Sequence, residues 1–185
     1  LTHCHFDHVG GVAALRSAGA KVLCSTAEKP LIGTAADLFE AFGAPRTPFR
    51  VDETLSDGET RNFCGIEIRT LFTPGHTRGG ACYLATDTDG KKYLFTGDTL
   101  FAGSIGRTDF PTGSGAQMQA SLQRLKSLDG DMPVYAGHEE DTTLETERKK
   151  AQIENDIWDG EALLDESFFQ GDFENKHMLL LRNRF

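Results

Sequence analysis

The sequence predicts an α/β sandwich, with strands in the middle of the chain and helices on either side. Two observations carry this expectation. The apolar pattern has helical spacing near the start, alternates between residues 49 and 96, and returns to helical spacing beyond residue 115. Turn sequences such as Ser56-Asp57-Gly58 and Thr88-Asp89-Gly90 punctuate the middle region, as a run of strands requires. A chain of 185 residues is long enough for one domain with its own core.

Taken in order, Leu1 and Thr2 read as the end of a strand. Residues 9–18 carry Val12 and Leu15 at helical spacing and stop at Gly19. A short strand is expected over 21–24, and a helix over 28–42 with a break near Gly33. Strands follow at 49–51, 59–63, 66–72, 81–86 and 93–96. Residues 115–128 form an amphipathic helix with Met118, Leu122 and Leu125 on one face. A strand at 133–136 and a charged helix at 142–155 complete a domain spanning 1–150. The extension 151–185 is either docked or a partly ordered tail. Its candidate docking residues are Trp158, Leu163, Leu164, Phe168 and Phe169, with a strand or helix from Met178 to Leu181.

Composition excludes several classes of function. A formal net charge of -9 argues against nucleic acid as a partner, because phosphate binding needs clustered Lys and Arg. The four cysteines, Cys4, Cys24, Cys64 and Cys82, form no C-x-x-C pair, which excludes a zinc ribbon or a dithiol redox motif. Reduced thiols in a cytoplasmic protein are the expectation. No apolar run is long enough to span a membrane.

The chemistry concentrates in "THCHFDH" at the start. His3 and His5 are two apart, so in extended backbone both imidazoles share a face and Cys4 points away from it, into packing. Asp7 and His8 follow at once. A helix start with an acid near its N-terminus explains Asp7, yet leaves three of the chain's six histidines in one cluster without a reason. Three more ligand-type residues sit after glycines at strand ends: His76 in "TPGHTRGG", Asp98 in "FTGDTLF" and His138 in "VYAGHEED". Imidazole and carboxylate donors in this number point to a metal site. Thr77, next to His76, is expected to hold its turn by hydrogen bonding, and His177 to lie at the surface.

The order "THCHFDH", "TPGHT", "FTGDTLF", "GHE" resembles the metallo-β-lactamase fold hydrolases, most of all the glyoxalase II group and its small bacterial relatives. The resemblance runs from Leu1 to about Arg148. It implies a metallo-β-lactamase-type αββα sandwich with metals at one edge. By resemblance, His3, His5 and His76 hold one metal, Asp7, His8 and His138 a second, and Asp98 bridges them. The implied cofactor is a pair of divalent ions, zinc first, with iron or manganese compatible. The implied reaction is hydrolysis of a thioester or ester by a bridging hydroxide, with Asp7 and Asp98 catalytic and a small acyl thioester as substrate.

The stretch "TLFAGSIGRTDFPTGS" is expected to line the pocket, with Phe101, Ser104 and Arg107 as substrate contacts. Glyoxalase II grips glutathione there with a Lys and a Tyr. Arg107 stands for the Lys, but Asp109 falls at the Tyr and Glu140 replaces a second Tyr after "GHE". Arg107 could bind a carboxylate or pair internally with Asp109. "GRTDF" also occurs in persulfide dioxygenases of the same fold, which hold one iron; their ligands would be His3, His76 and Asp98. Such proteins ordinarily carry a β-rich segment before "THxHxDH". The expectation is an N-terminally truncated domain that exposes a sheet edge and apolar surface.

Overall fold

In the computed structural model, residues 1–153 are described. The helical turn α1 (Phe6–Val9) and helix α2 (Val12–Ser17) open the chain. They are followed by β1 (Leu23–Ser25) and two 3-10 turns, Lys29–Leu31 and Ala35–Asp37. Then come β2 (Glu53–Leu55), β3 (Thr60–Phe63), β4 (Ile66–Phe72), β5 (Ala81–Thr86) and β6 (Lys92–Gly97). Helix α3 (Gly115–Lys126), β7 (Pro133–Ala136), β8 (Thr142–Thr143) and α4 (Leu144–Ile153) end the described part.

Strands β3 to β8 form one six-stranded sheet in sequential order, antiparallel except for the parallel pair β6–β7. Strands β1 and β2 pair in parallel as a separate two-stranded sheet. Alternation sets which side of the large sheet is dry. Leu71, Cys82, Leu94 and Val134 point to one face and meet Met118, Leu122 and Leu125 of α3 and Leu144 of α4. A leucine so buried contributes roughly 1.5–3 kcal/mol, so this layer dominates stability. Ser114 caps α3 by accepting the Gln117 N–H, and Arg124 and Lys126 sit in its last turn, where positive charge is favoured. A second cluster, Val9, Val12, Val22 and Phe39, packs α1 and α2 against Val22, just before β1, and against Phe39. On the other face of the large sheet, Phe95 and Tyr135 rings lie 5.4 Å apart and Phe95 is 42% exposed.

Several expectations need correction. The segment 28–42 is not a helix: Pro30 and Gly33 divide it, and the chain closes on itself in the two 3-10 turns, the second capped by the Thr34 hydroxyl accepting from Ala36 N–H. No strand forms at 49–51. Phe49 and Val51 pack on the second cluster, and pairing begins only at Glu53, opposite Leu23. The first helix is two pieces, because Gly10 and Gly11 part α1 from α2. Residues 142–143 extend the sheet before α4 begins at Leu144. Leu1 and Thr2 belong to no strand, although Ala81 N–H donates to the Thr2 carbonyl at 2.9 Å and the Leu1 amino group to the Leu23 carbonyl at 2.7 Å. The docking residues expected in the extension, and His177, lie outside the described residues.

Candidate metal centre

His5 is extended, with φ −61° and ψ 149°, and α1 starts immediately after it. The extended start puts the His3 and His5 rings 4.7 Å apart on one side. Cys4 turns the other way, fully buried, with Sγ against the Ala36 carbonyl. The turn of α1 then brings Asp7 and His8 back over the same spot. His76 lies in the loop before β5, which closes through Thr73 N–H on the Gly80 carbonyl (2.8 Å) and Gly75 N–H on the Thr77 carbonyl (3.0 Å). Because β6 and β7 run parallel with Gly97 opposite Ala136, Asp98 and His138 emerge at the same sheet edge.

All seven expected donors therefore meet. The ligand atoms of His3, His5 and His76 lie within 4.8 Å of one another, as do those of Asp7, His8 and His138, and those of His3, His8 and Asp98. Asp98 reaches both trios: Oδ1 is 3.2 Å from His8 Nε2, and Oδ2 is 3.4 Å from both His76 Nε2 and His138 Nε2. His8 Nε2 and His138 Nε2 face each other at 3.2 Å, and His138 Nε2 is 3.1 Å from Asp7 Oδ2.

Among the described residues, the buried side-chain nitrogen and oxygen atoms without a hydrogen-bond partner are His3 Nε2, His5 Nε2, His76 Nε2 and Asp98 Oδ1. Each such orphan costs about 1–3 kcal/mol. Four of them converging on one spot make sense as a cation-donor set. The tautomer of His76 agrees. Its Nδ1 is 2.7 Å from the Arg107 carbonyl, which only accepts, so Nδ1 carries the proton and Nε2 offers its lone pair inward. The residues present thus fit a metal pair.

Charge follows the same logic. Burial holds His3 well below its ordinary pKa, pushes His5 down to about 4 and lowers His76, so these three are neutral. His138 is pushed up to about 10 by its hydrogen bonds to Asp7 and then Asp98. Burial works against ionising Asp98 and Asp7. In Asp98 the close His138 and His8 imidazoles outweigh it and hold the carboxyl far below the usual range; in Asp7 the His138 contact lowers it. Two ionised carboxylates therefore flank the donors, a potential that draws in cations.

Arg107 Nε donates to Asp109 Oδ1 at 2.6 Å, its Nη2 pairs with Oδ2, and the guanidinium lies 3.9 Å over the Phe110 ring. The internal pair is thus the one formed. Phe101 is buried, its ring 6.2 Å from that of His138, and Ser104 contributes its carbonyl to Phe101 N–H. Sequence reasoning missed an aromatic wall. The Phe110 ring lies 5.6 Å from His5, 6.3 Å from His76 and 6.0 Å from Phe42, which stacks on Phe6 and is 54% exposed. The "DFP" run held that signal for Phe110; Phe6 and Phe42 had none. Glu28 was also missed. No helix among the described residues is long and apolar enough to cross a membrane.

Comparison with known proteins agrees with this geometry. Residues 1–138 match the family description of the metallo-beta-lactamase superfamily. Hydroxyacylglutathione hydrolase GloC of Haemophilus influenzae is 34% identical over 158 residues, covering 80% of this chain and 71% of that protein. Hydroxyacylglutathione hydrolase of Aeromonas hydrophila is 38% identical over 139 residues, covering 75% of this chain and 46% of that one. Among solved structures, TTHA1623 in a di-iron-bound form superposes with a TM-score of 0.68 at 37% identity, covering 81% of this chain and 73% of that one. The B3 metallo-beta-lactamase BLEG-1 gives 0.72 at 31% identity, with coverages of 80% and 72%. ETHE1 from Myxococcus xanthus gives 0.64 at 27%, with coverages of 86% and 64%. With its histidine and aspartate donors gathered at one sheet edge, this chain belongs to the metallo-beta-lactamase superfamily.

Proposed function

We propose that this metal-dependent hydrolase is binuclear and cleaves small acyl thioesters or esters. The observation that carries the reading is the pair of complete donor trios with Asp98 between them. His3, His5 and His76 would hold one ion, and Asp7, His8 and His138 the other. Bound divalent ions, with zinc the first candidate and iron or manganese compatible with these donors, would lower the pKa of a water toward ~7 and polarise an acyl carbonyl.

The chain supplies the rest. Asp98 holds both trios in one register. The side chain of Asp7 is 28% exposed, at the rim, where it can orient a water and take its proton. The aromatic wall of Phe110, Phe42 and Phe6 gives an acyl group apolar surface beside His5 and His76. Arg107, committed to Asp109, is poorly placed to select a glutathione carboxylate, so the wall rather than that guanidinium is expected to bind substrate, with Phe101 beside His138 and Ser104 bonded to it through its carbonyl. The mononuclear iron alternative, a persulfide dioxygenase, uses only His3, His76 and Asp98 and leaves the Asp7–His8–His138 trio without a task.

Thiol release from acyl thioesters tests this, with the metal-loaded chain compared against the chelated one. Metal-dependent release is expected, with glutathione favoured over a simple thiol carrier by less than about tenfold, or about 1.4 kcal/mol. Oxygen consumption with a persulfide, and no release from any thioester or ester, would contradict it.

A further inference from the structure

Glu28 is a carboxylate with no exposure, far from water and outside the donor set. Burying such a group is costly unless both oxygens are satisfied. Here both are, and the partners are telling. Oε1 accepts the backbone N–H of Cys4 at 2.7 Å, and Oε2 accepts the hydroxyl of Thr77 at 2.8 Å. Cys4 is the residue between His3 and His5; Thr77 directly follows His76. One buried acid thus ties the two segments that bring the three orphaned imidazole nitrogens together, across sequence separations of 24 and 49 residues.

The neighbourhood is built around this contact. Ser25 Oγ accepts Glu28 N–H at 3.0 Å and donates to the Gly79 carbonyl at 2.5 Å, a second tie to the His76 loop. Gly79 packs so closely that a methyl there would overlap Glu28 N and the Ala27 carbonyl carbon. No ordinary side chain fits between the His76 loop and the Glu28 backbone.

We infer that Glu28 is a positioning residue that sets the spacing of His3 and His5 against His76, and so the cation affinity of the three-histidine site. This rests on the ligand assignment proposed above. Partners that orient ligands from behind commonly change metal affinity by 10–100-fold when lost. Glutamine is the conservative replacement: its carbonyl can accept from Cys4 N–H while its amide donates to Thr77 Oγ1. Alanine removes both contacts, and Thr77→Val removes one without touching Glu28.

Cobalt(II) titration of the full chain, read by visible absorption in competition with a chelator, tests it. Each variant is placed in a His138→Ala background, which isolates the three-histidine site, and in a His5→Ala background, which isolates the other. Glu28→Ala should weaken cobalt binding by about 10–100-fold in the first background and by less than about threefold in the second. Glu28→Gln should recover most of the loss, and Thr77→Val should fall between. Should Glu28→Ala fail to fold, Thr77→Val decides by the same comparison. Unchanged affinity in the first background, or equal loss in both, overturns the positioning role. A parent chain that takes up no cobalt overturns the ligand assignment itself, and this inference with it.

Discussion

Replacing Asp98 with alanine should empty the proposed binuclear centre and abolish metal-dependent hydrolysis. Among the described residues, Asp98 is the carboxylate that reaches both trios, with 3.2 Å to His8 and 3.4 Å to His76 and His138. Loss of an outer partner costs about 10–100-fold, so loss of a donor shared by two ions should exceed about 100-fold in affinity for each. Asp98→Asn keeps the shape and removes the charge. It should hold at most one ion, because a neutral amide cannot balance the positive charge that two bound cations would bring. Elemental analysis after dialysis, alongside thiol release, reads both effects. Retention of two ions by Asp98→Ala would place the bridge elsewhere.

A single methyl at Gly106 should be nearly as damaging, by a different route. A Cβ built there overlaps the Asp98 carbonyl oxygen and comes within 2.8 Å of its carbon and 3.3 Å of His76 Nδ1. The obstacle is backbone and cannot swing aside. Gly106→Ala must therefore displace the strand-end loop carrying Asp98, or the Arg107 carbonyl that fixes the His76 tautomer. Overpacking of this kind costs about 1–3 kcal/mol or more. At the upper end Tm falls by roughly 6–12 °C for a domain of this size, and both sites lose affinity. An unaltered Tm with full metal binding would mean that the loop has room the structure does not show.

Much of this was legible in the sequence because the signals were local. Strands 66–72, 81–86 and 133–136 have the bounds their alternation implies, since each is flanked by turn residues and half buried. The face of α3 follows from Met118, Leu122 and Leu125 at helical spacing. The seven donors stood out because each sits at a strand end or chain start where side chains converge. What stayed hidden depends on contacts distant in sequence. Apolar spacing over 28–42 resembled a helix, but Pro30, Gly33 and the Thr34 cap favour tight turns, and burial of Leu31, Ala36 and Phe39 is set by other segments. Phe49 and Val51 alternate like a strand yet are recruited into a side-chain cluster. Nothing local marks Glu28 as the joint between two ligand loops, because its partners lie far away in the chain. The Arg107–Asp109 pair was readable only as one of two options, until the Phe110 ring placed the guanidinium.

The most direct measurement is the number of metal ions per chain, by elemental analysis of protein purified without added metal and again after loading with zinc. Close to two ions per chain after loading is the expected result, with both lost in Asp98→Ala. A single iron with no second site filling, or a chain that remains near zero after loading, would contradict the binuclear centre.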